Sequence, residues 1–151
     1  MSADFIDSNV LVYLFDETDE AKRDTARQLV THALENGSAC ISFQVVQETL
    51  NVITRKLARP AAPDDARRFL ELVLVPLWSV MPGEALYRRG LEIQGRHRFS
   101  FYHALIVAAA LDAGCTRLFS EDMQHNQRVE TLVIIDPFKA GDIAAPKKRR
   151  R

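Results

Sequence analysis

The chain has 151 residues, 47% of them apolar and 26% charged, which suits one domain with a full-sized core. No apolar run approaches the ~18 residues of a membrane span, and the N-terminus MSADFIDSNV lacks the basic-then-apolar pattern of a secretory signal. The net charge of zero divides into −4 over residues 1–141 (15 Lys+Arg, 19 Asp+Glu) and +4 over residues 142–151, where Lys147, Lys148, Arg149, Arg150 and Arg151 accompany Asp142. The body is therefore mildly acidic and offers no overall basic field to nucleic acid. Cys40 and Cys115 each lie in or beside an apolar run and read as buried free thiols. Together these features predict a cytoplasmic protein.

In chain order, Ala3–Ile6 predicts a short buried strand ending on Asp7, and Asn9–Phe15 an apolar helix or turn. From Glu20 to Glu35 the pattern is helical, with Ala26, Leu29, Val30, Ala33 and Leu34 on one face and a stop at Asn36-Gly37. Ala39–Ile41 predicts a second strand. Ser42 is a good N-cap for a helix to about Leu57, whose apolar positions Phe43, Val46, Leu50, Ile53 and Leu57 follow helical spacing. Pro63-Asp64-Asp65 opens another helix, since proline suits the first turn and acids suit the positive end of the helix dipole. Leu77–Met81 predicts a third strand with Trp78 in the core, and Pro82-Gly83 leads into a helix ending near Gly95. Ser100 caps the next helix, with a core of Ala104–Leu111 and a stop at Gly114. Arg117–Phe119 and Leu132–Ile135 are the last predicted strands. Short strands alternating with helices predict an α/β fold, with a parallel sheet covered on both faces. One domain spans residues 1–139, and residues 140–151 form a basic tail, with no internal repeat.

Three acids fall where open parallel sheets bind ligands, at the carboxyl ends of strands. Asp7 ends the first strand, Glu48 lies in the second turn of the helix after the second strand, and Asp122 follows Arg117–Phe119. Each alone is a weak signal: an Asp at a strand end is commonly a turn or cap residue, and Glu48 could be a solvated helix residue. Together at one edge they point to a cation site, because clustered carboxylates repel one another. Mg²⁺ and Mn²⁺ favour such oxygen ligands, and a metal there can lower the pKa of a bound water and clamp a phosphate oxygen.

The segments Asp4–Asn9, Ile41–Glu48 and Ser100–Asp122 resemble the PIN-domain proteins, especially the VapC-like ribonuclease toxins of bacterial toxin–antitoxin pairs. The most specific stretches are Phe101-Tyr102-His103-Ala104-Leu105-Ile106-Val107-Ala108-Ala109-Ala110 and Ser120-Glu121-Asp122-Met123-Gln124. The resemblance covers about residues 3–138. It implies a three-layer α/β/α fold with a short-stranded, mainly parallel sheet. It also implies a Mg²⁺- or Mn²⁺-dependent endoribonuclease, a homodimer, and an antitoxin partner. It carries Asp7, Glu48 and Asp122 into the metal site, with Ser8, Asn9 and Ser120 as supporting polar groups. One position departs from the pattern: the family has an aspartate where this chain has His103. Histidine can bind Mn²⁺ or Zn²⁺ through a neutral nitrogen but is a poor ligand for Mg²⁺. His103 is expected inside the site, in a weakened metal centre; alternatively it only caps or packs near the helix start.

Other candidates carry bland alternatives. His97 in Arg96-His97-Arg98 could hold RNA phosphates or lie in a solvated loop; His125 could touch substrate or be a surface residue; His32 is expected to be partly exposed. Arg55, Lys56 and Arg59 could satisfy a helix end or contact RNA or a partner. The Lys147–Arg151 run could contact phosphates or only solubilise the chain. Two further functions compete with the nuclease. One is a PIN-like binding module that no longer cuts and pairs with an antitoxin or with itself, which His103 favours. The other is a phosphoacceptor receiver domain, which needs an Asp ending the central third strand and a Lys ending the fifth. The third strand here runs into Pro82, and Leu132–Ile135 runs into Asp136-Pro137, so the receiver reading fails.

Overall fold

The computed structural model describes residues 3–139; the basic tail expected at residues 140–151 lies outside them. The elements follow the alternation of the sequence. β1 (Asp4–Ile6) leads into a helical turn α1 (Ser8–Leu11), a 3₁₀ turn (Val12–Leu14) and α2 (Glu20–Asn36). β2 (Ala39–Ser42) leads into α3 (Phe43–Arg55) and α4 (Pro63–Phe69), then a π-helical turn (Leu70–Leu74) and the short α5 (Val75–Leu77). β3 (Trp78–Val80), α6 (Glu84–His97), α7 (Phe101–Asp112), β4 (Arg117–Phe119), β5 (Arg128–Val129) and β6 (Leu132–Ile135) complete the fold.

The six strands form one sheet in the order β3-β2-β1-β4-β6-β5. Every pairing is parallel except the β5–β6 hairpin. Successive side chains of a strand point to opposite faces, and Asp4, Phe5 and Ile6 of β1 are all buried. Both faces of the sheet are therefore covered at its centre, as the α/β pattern requires. From β1 the chain winds outward through β2 and β3, then returns to place β4 on the other side of β1. The winding direction thus reverses between β1 and β4, and the carboxyl edge at such a switch point is where open α/β sheets form a ligand crevice.

Local rules explain the boundaries. Asp19 caps α2 by accepting the Lys22 N–H, and Gly37 ends it in the left-handed region at φ 59°. The predicted face of α2 is buried at Ala26, Leu29, Val30 and Ala33, but Leu34 stays 38% exposed at its margin. α7 buries every residue from Ala104 to Ala110, which is why its pattern is apolar all round rather than striped. It packs closely on α6, where a Cβ added at Gly90 would meet the Leu105 side chain at 3.4 Å.

Several details depart from the sequence expectation. The helix opened by Pro63 widens into the π turn before Pro76, which has no N–H to donate back along the helix. The third strand is shorter than Leu77–Met81, because α5 takes Leu77 and Met81 lies beyond the ladder at 63% exposure. Trp78 is only half-buried, its Nε1 donating to the Val80 carbonyl. β5 was not anticipated. Cys40 and Cys115 are buried free thiols, as read, with Sγ atoms 3.5 Å apart. Among the described residues, no helix is long and apolar enough to cross a membrane.

Candidate active site at the sheet switch point

Because β1, β2 and β4 run parallel, the residues following them emerge at the same edge. Asp7, Glu48, His103 and Asp122 all line one pocket there, of about 320 Å³. All four candidate acid and imidazole positions are thus brought together. Asp122 is solvent-exposed, His103 is half-buried and Asp7 is buried.

Asp7 is held by the two strands that flank the switch point. Its Oδ1 accepts the Ser8 N–H at 2.7 Å, as the N-cap of α1. Its Oδ2 accepts from Ser120 Oγ at 2.9 Å and from Asn9 Nδ2 at 3.2 Å. Asn9 Nδ2 also lies 3.2 Å from Ser120 Oγ, while Asn9 Oδ1 accepts the Glu121 N–H at 3.0 Å. One asparagine therefore ties the loop after β4 to the turn after β1. Ser8, Asn9 and Ser120 all hydrogen-bond Asp7; Ser8 also lines the pocket, whereas Asn9 and Ser120 lie behind Asp7.

Glu48 is fixed from two sides. Ser8 Oγ lies 2.8 Å from Glu48 Oε2 and 3.4 Å from Asp7 Oδ1. A hydroxyl has one proton to give, and the shorter contact assigns it to Glu48. Gln44, one turn earlier on α3 and buried, donates through Nε2 to Glu48 Oε1 at 2.9 Å and to the Tyr102 carbonyl at 3.1 Å. Both of those partners are acceptors, which fixes the orientation of the Gln44 amide.

The electrostatics follow from burial. Loss of hydration pushes the Asp7 carboxyl from its ordinary 3.8 up to about 6, against the Ser120 and Ser8 hydrogen bonds that favour the ionised form. The Glu48 charge raises it further, and His103 pulls the other way. The acidic residues are thus close enough to feel one another.

The neighbouring acid Glu121 is kept out of the pocket. Its Oε1 accepts from Tyr13 Oη at 2.9 Å and Lys22 Nζ at 3.1 Å. At His103 the backbone N–H donates to the capping Ser100 Oγ at 3.2 Å, while the side chain belongs to the pocket lining.

A family model described as "PIN domain" matches residues 5–130. The chain belongs to the PIN-domain family. PIN-domain proteins of the VapC-like kind are generally nucleases. Among solved structures, the fold resembles VapC20 of Mycobacterium tuberculosis, described as a sarcin–ricin-loop-cleaving toxin. That match has 22% identity, a TM-score of 0.60 and coverage of 79% of this chain and 89% of that one. A toxin–antitoxin complex from Klebsiella pneumoniae matches at 17% identity with a TM-score of 0.63, covering 89% and 97%. VapBC2 of Rickettsia felis, bound to promoter DNA, matches at 13% with a TM-score of 0.62, covering 87% and 96%. A search of curated proteins finds no match.

Within this PIN fold the donors suit a hard divalent cation, which is commonly held by one or two carboxylates with water completing its shell. Asp7 and Glu48, joined through Ser8, supply such a pair, and Asp122 adds a third carboxylate from the solvent side. Among the described residues, however, no three His, Cys, Asp or Glu side chains lie close enough together to ligate one ion.

Sequence reading missed Gln44, Asn51 and Tyr102 as pocket-lining residues; Lys56, weighed as an RNA or partner contact, lines the same pocket. Gln44, Glu48 and Asn51 fall at helical spacing along one face of α3, so Glu48 could have located the other two. Of the other candidates, Arg59 pairs with Glu17, and His32 is exposed. His97 ends α6 with its ring 6.1 Å from that of Phe99. His125 is half-buried rather than a free surface residue, and its Nδ1 accepts the Asp136 N–H at 2.9 Å.

Proposed function

We propose that this chain is a metal-dependent endoribonuclease of the toxin type whose metal centre is weakened by His103. The observation that carries the reading is the convergence of Asp7, Glu48, His103 and Asp122 on one pocket at the switch point. Asp7, Glu48 and Asp122 would hold Mg²⁺ or Mn²⁺, at least one of them through a bound water rather than directly, and the bound ion would supply an activated water and charge neutralisation at a phosphate oxygen. Ser8 and Gln44 orient Glu48; Ser120, Asn9 and the Ser8 N–H orient Asp7. The unit is one PIN-like domain over residues 1–139 with a basic tail at 140–151. It acts in the cytoplasm on RNA, pairs with a cognate antitoxin and forms a homodimer. Exposed Leu72, Val75, Met81 and Leu91 offer apolar surface for such assembly.

A second reading, favoured by His103, is a PIN-fold module that binds an antitoxin or itself without cutting. RNA cleavage by the purified chain and by His103→Asp, in Mg²⁺ and in Mn²⁺, separates the two. Cleavage by both, stronger in the aspartate variant, supports the weakened nuclease. No cleavage by either variant supports the binding module.

A further inference from the structure

The pocket is acidic, and the substrate class proposed for it is a polyanion, so something else must grip the RNA. Two side chains that line the pocket have no part in holding the acids. Lys56, at the C-cap of α3, is the one Lys or Arg among the described residues lining the pocket, and it is exposed. Tyr102, in the first turn of α7, lines the same pocket and is 66% exposed.

An aromatic ring so open is unusual on a helix whose residues 104–110 are all buried. Its setting is nonetheless fixed. The Tyr102 carbonyl accepts from Gln44, the same side chain that orients Glu48. The ring meets Phe101 edge-on, with centroids 5.8 Å apart and planes at 64°, and Phe101 in turn stacks on Tyr87 at 6.4 Å. Edge-on support anchors the ring while leaving a face open to solvent, as a nucleobase would need for stacking.

We propose that Tyr102 is a base-stacking residue: it receives the base of an unpaired RNA nucleotide whose phosphate enters the acidic pocket, while Lys56 takes a neighbouring phosphate. This inference rests on the ribonuclease reading and adds the residues that grip the strand. A paired base keeps its faces inside the duplex, so the ring selects nucleotides that are unstacked or splayed out.

The test uses a short unstructured oligoribonucleotide carrying 2-aminopurine, whose fluorescence falls when it stacks. It is titrated with the full chain in Ca²⁺, with strand integrity checked by gel. The wild-type chain should quench the probe, and the probe's duplex with its complement should not show the added quench. Tyr102→Leu should lose the quench and weaken binding roughly 5- to 100-fold, while Tyr102→Phe keeps both. Lys56→Gln should keep the quench and reduce the salt slope by about 0.7. Because Tyr102 is exposed, its variants should melt like wild type, so a loss can be read as loss of contact. A Tyr102→Leu chain that binds and quenches like wild type overturns the proposal. So does a change in its mass by light scattering, which would assign the ring to an interface between copies. If the wild-type chain binds no RNA, the ribonuclease reading itself falls; if RNA binds without dependence on Tyr102, only this inference falls.

Discussion

Burial of the Asp7 carboxyl should cost folding stability in the absence of a cation, and Asp7→Asn measures by how much. Burial raises this carboxyl above its ordinary value, so the folded chain holds the proton to higher pH than the unfolded chain does. The sign follows: this group weakens folding as pH rises from 3.8 to about 6, and the cost is complete above that range. At 1.36 kcal/mol per pH unit, the interval amounts to about 3 kcal/mol. Asparagine removes the charge and keeps one oxygen for the Ser8 N–H. Its amide group then meets Ser120 Oγ, which can turn to accept, and Asn9 Nδ2, which loses an acceptor at a cost of about 1 kcal/mol. Asp7→Asn should therefore gain about 1–2 kcal/mol near pH 7.5 in EDTA and lose that gain near pH 4, where wild-type Asp7 is protonated. Urea denaturation at the two pH values reads both numbers. Saturating Mn²⁺ should stabilise wild type and leave the variant nearly unchanged. The reasoning is falsified if Asp7→Asn is destabilised equally at both pH values, since the carboxylate would then carry no desolvation cost.

Four further outcomes are expected. His103→Asp should bind Mn²⁺ at least about tenfold more tightly by calorimetry, equivalent to about 1.4 kcal/mol. Ser120→Ala should push the Asp7 carboxyl above about 6, because the hydroxyl hydrogen bond favours the ionised form; carbon-detected NMR titration of Asp7 follows it. Ending the chain at Ala145 should weaken RNA binding and flatten its salt dependence if Lys147–Arg151 contact phosphates, and filter binding across salt checks both. Light scattering at tens of micromolar should report a dimer; a monomer throughout would remove the homodimer.

The fold was legible because its signals are local and mutually consistent. Gly37, Ser100 and Pro63 mark helix ends where the structure has them, and Asp7, Glu48 and Asp122 each follow a strand that turned out parallel to its neighbours. β5 escaped because two residues are too short for alternation to register. Its turn also carries no glycine: Glu130 takes the left-handed φ of 54° instead. Tyr102 escaped for another reason. Whether a helix-start tyrosine faces a pocket depends on how α7 is rotated against the sheet, and no short motif encodes that rotation.

The same geometry shows that the side chain at position 103 is not needed to hold Asp7 and Glu48 in place. The frame that positions Asp7 and Glu48 runs through Ser8, Asn9, Gln44 and Ser120. None of these hydrogen bonds passes through the side chain of residue 103, whose backbone N–H is satisfied by Ser100. A change there removes charge from the pocket while leaving its scaffold in place. For a divalent ion about 5 Å away, losing one negative charge forfeits roughly 6–7 kcal/mol of gross attraction at an effective dielectric near 20, much of it offset by hydration. On the metal-dependent reading, position 103 would therefore tune metal affinity almost independently of folding. His103→Asp should accordingly leave the urea midpoint in EDTA little changed at neutral pH while it raises Mn²⁺ affinity. A variant that alters both together would show that the imidazole supports the fold as well as the site.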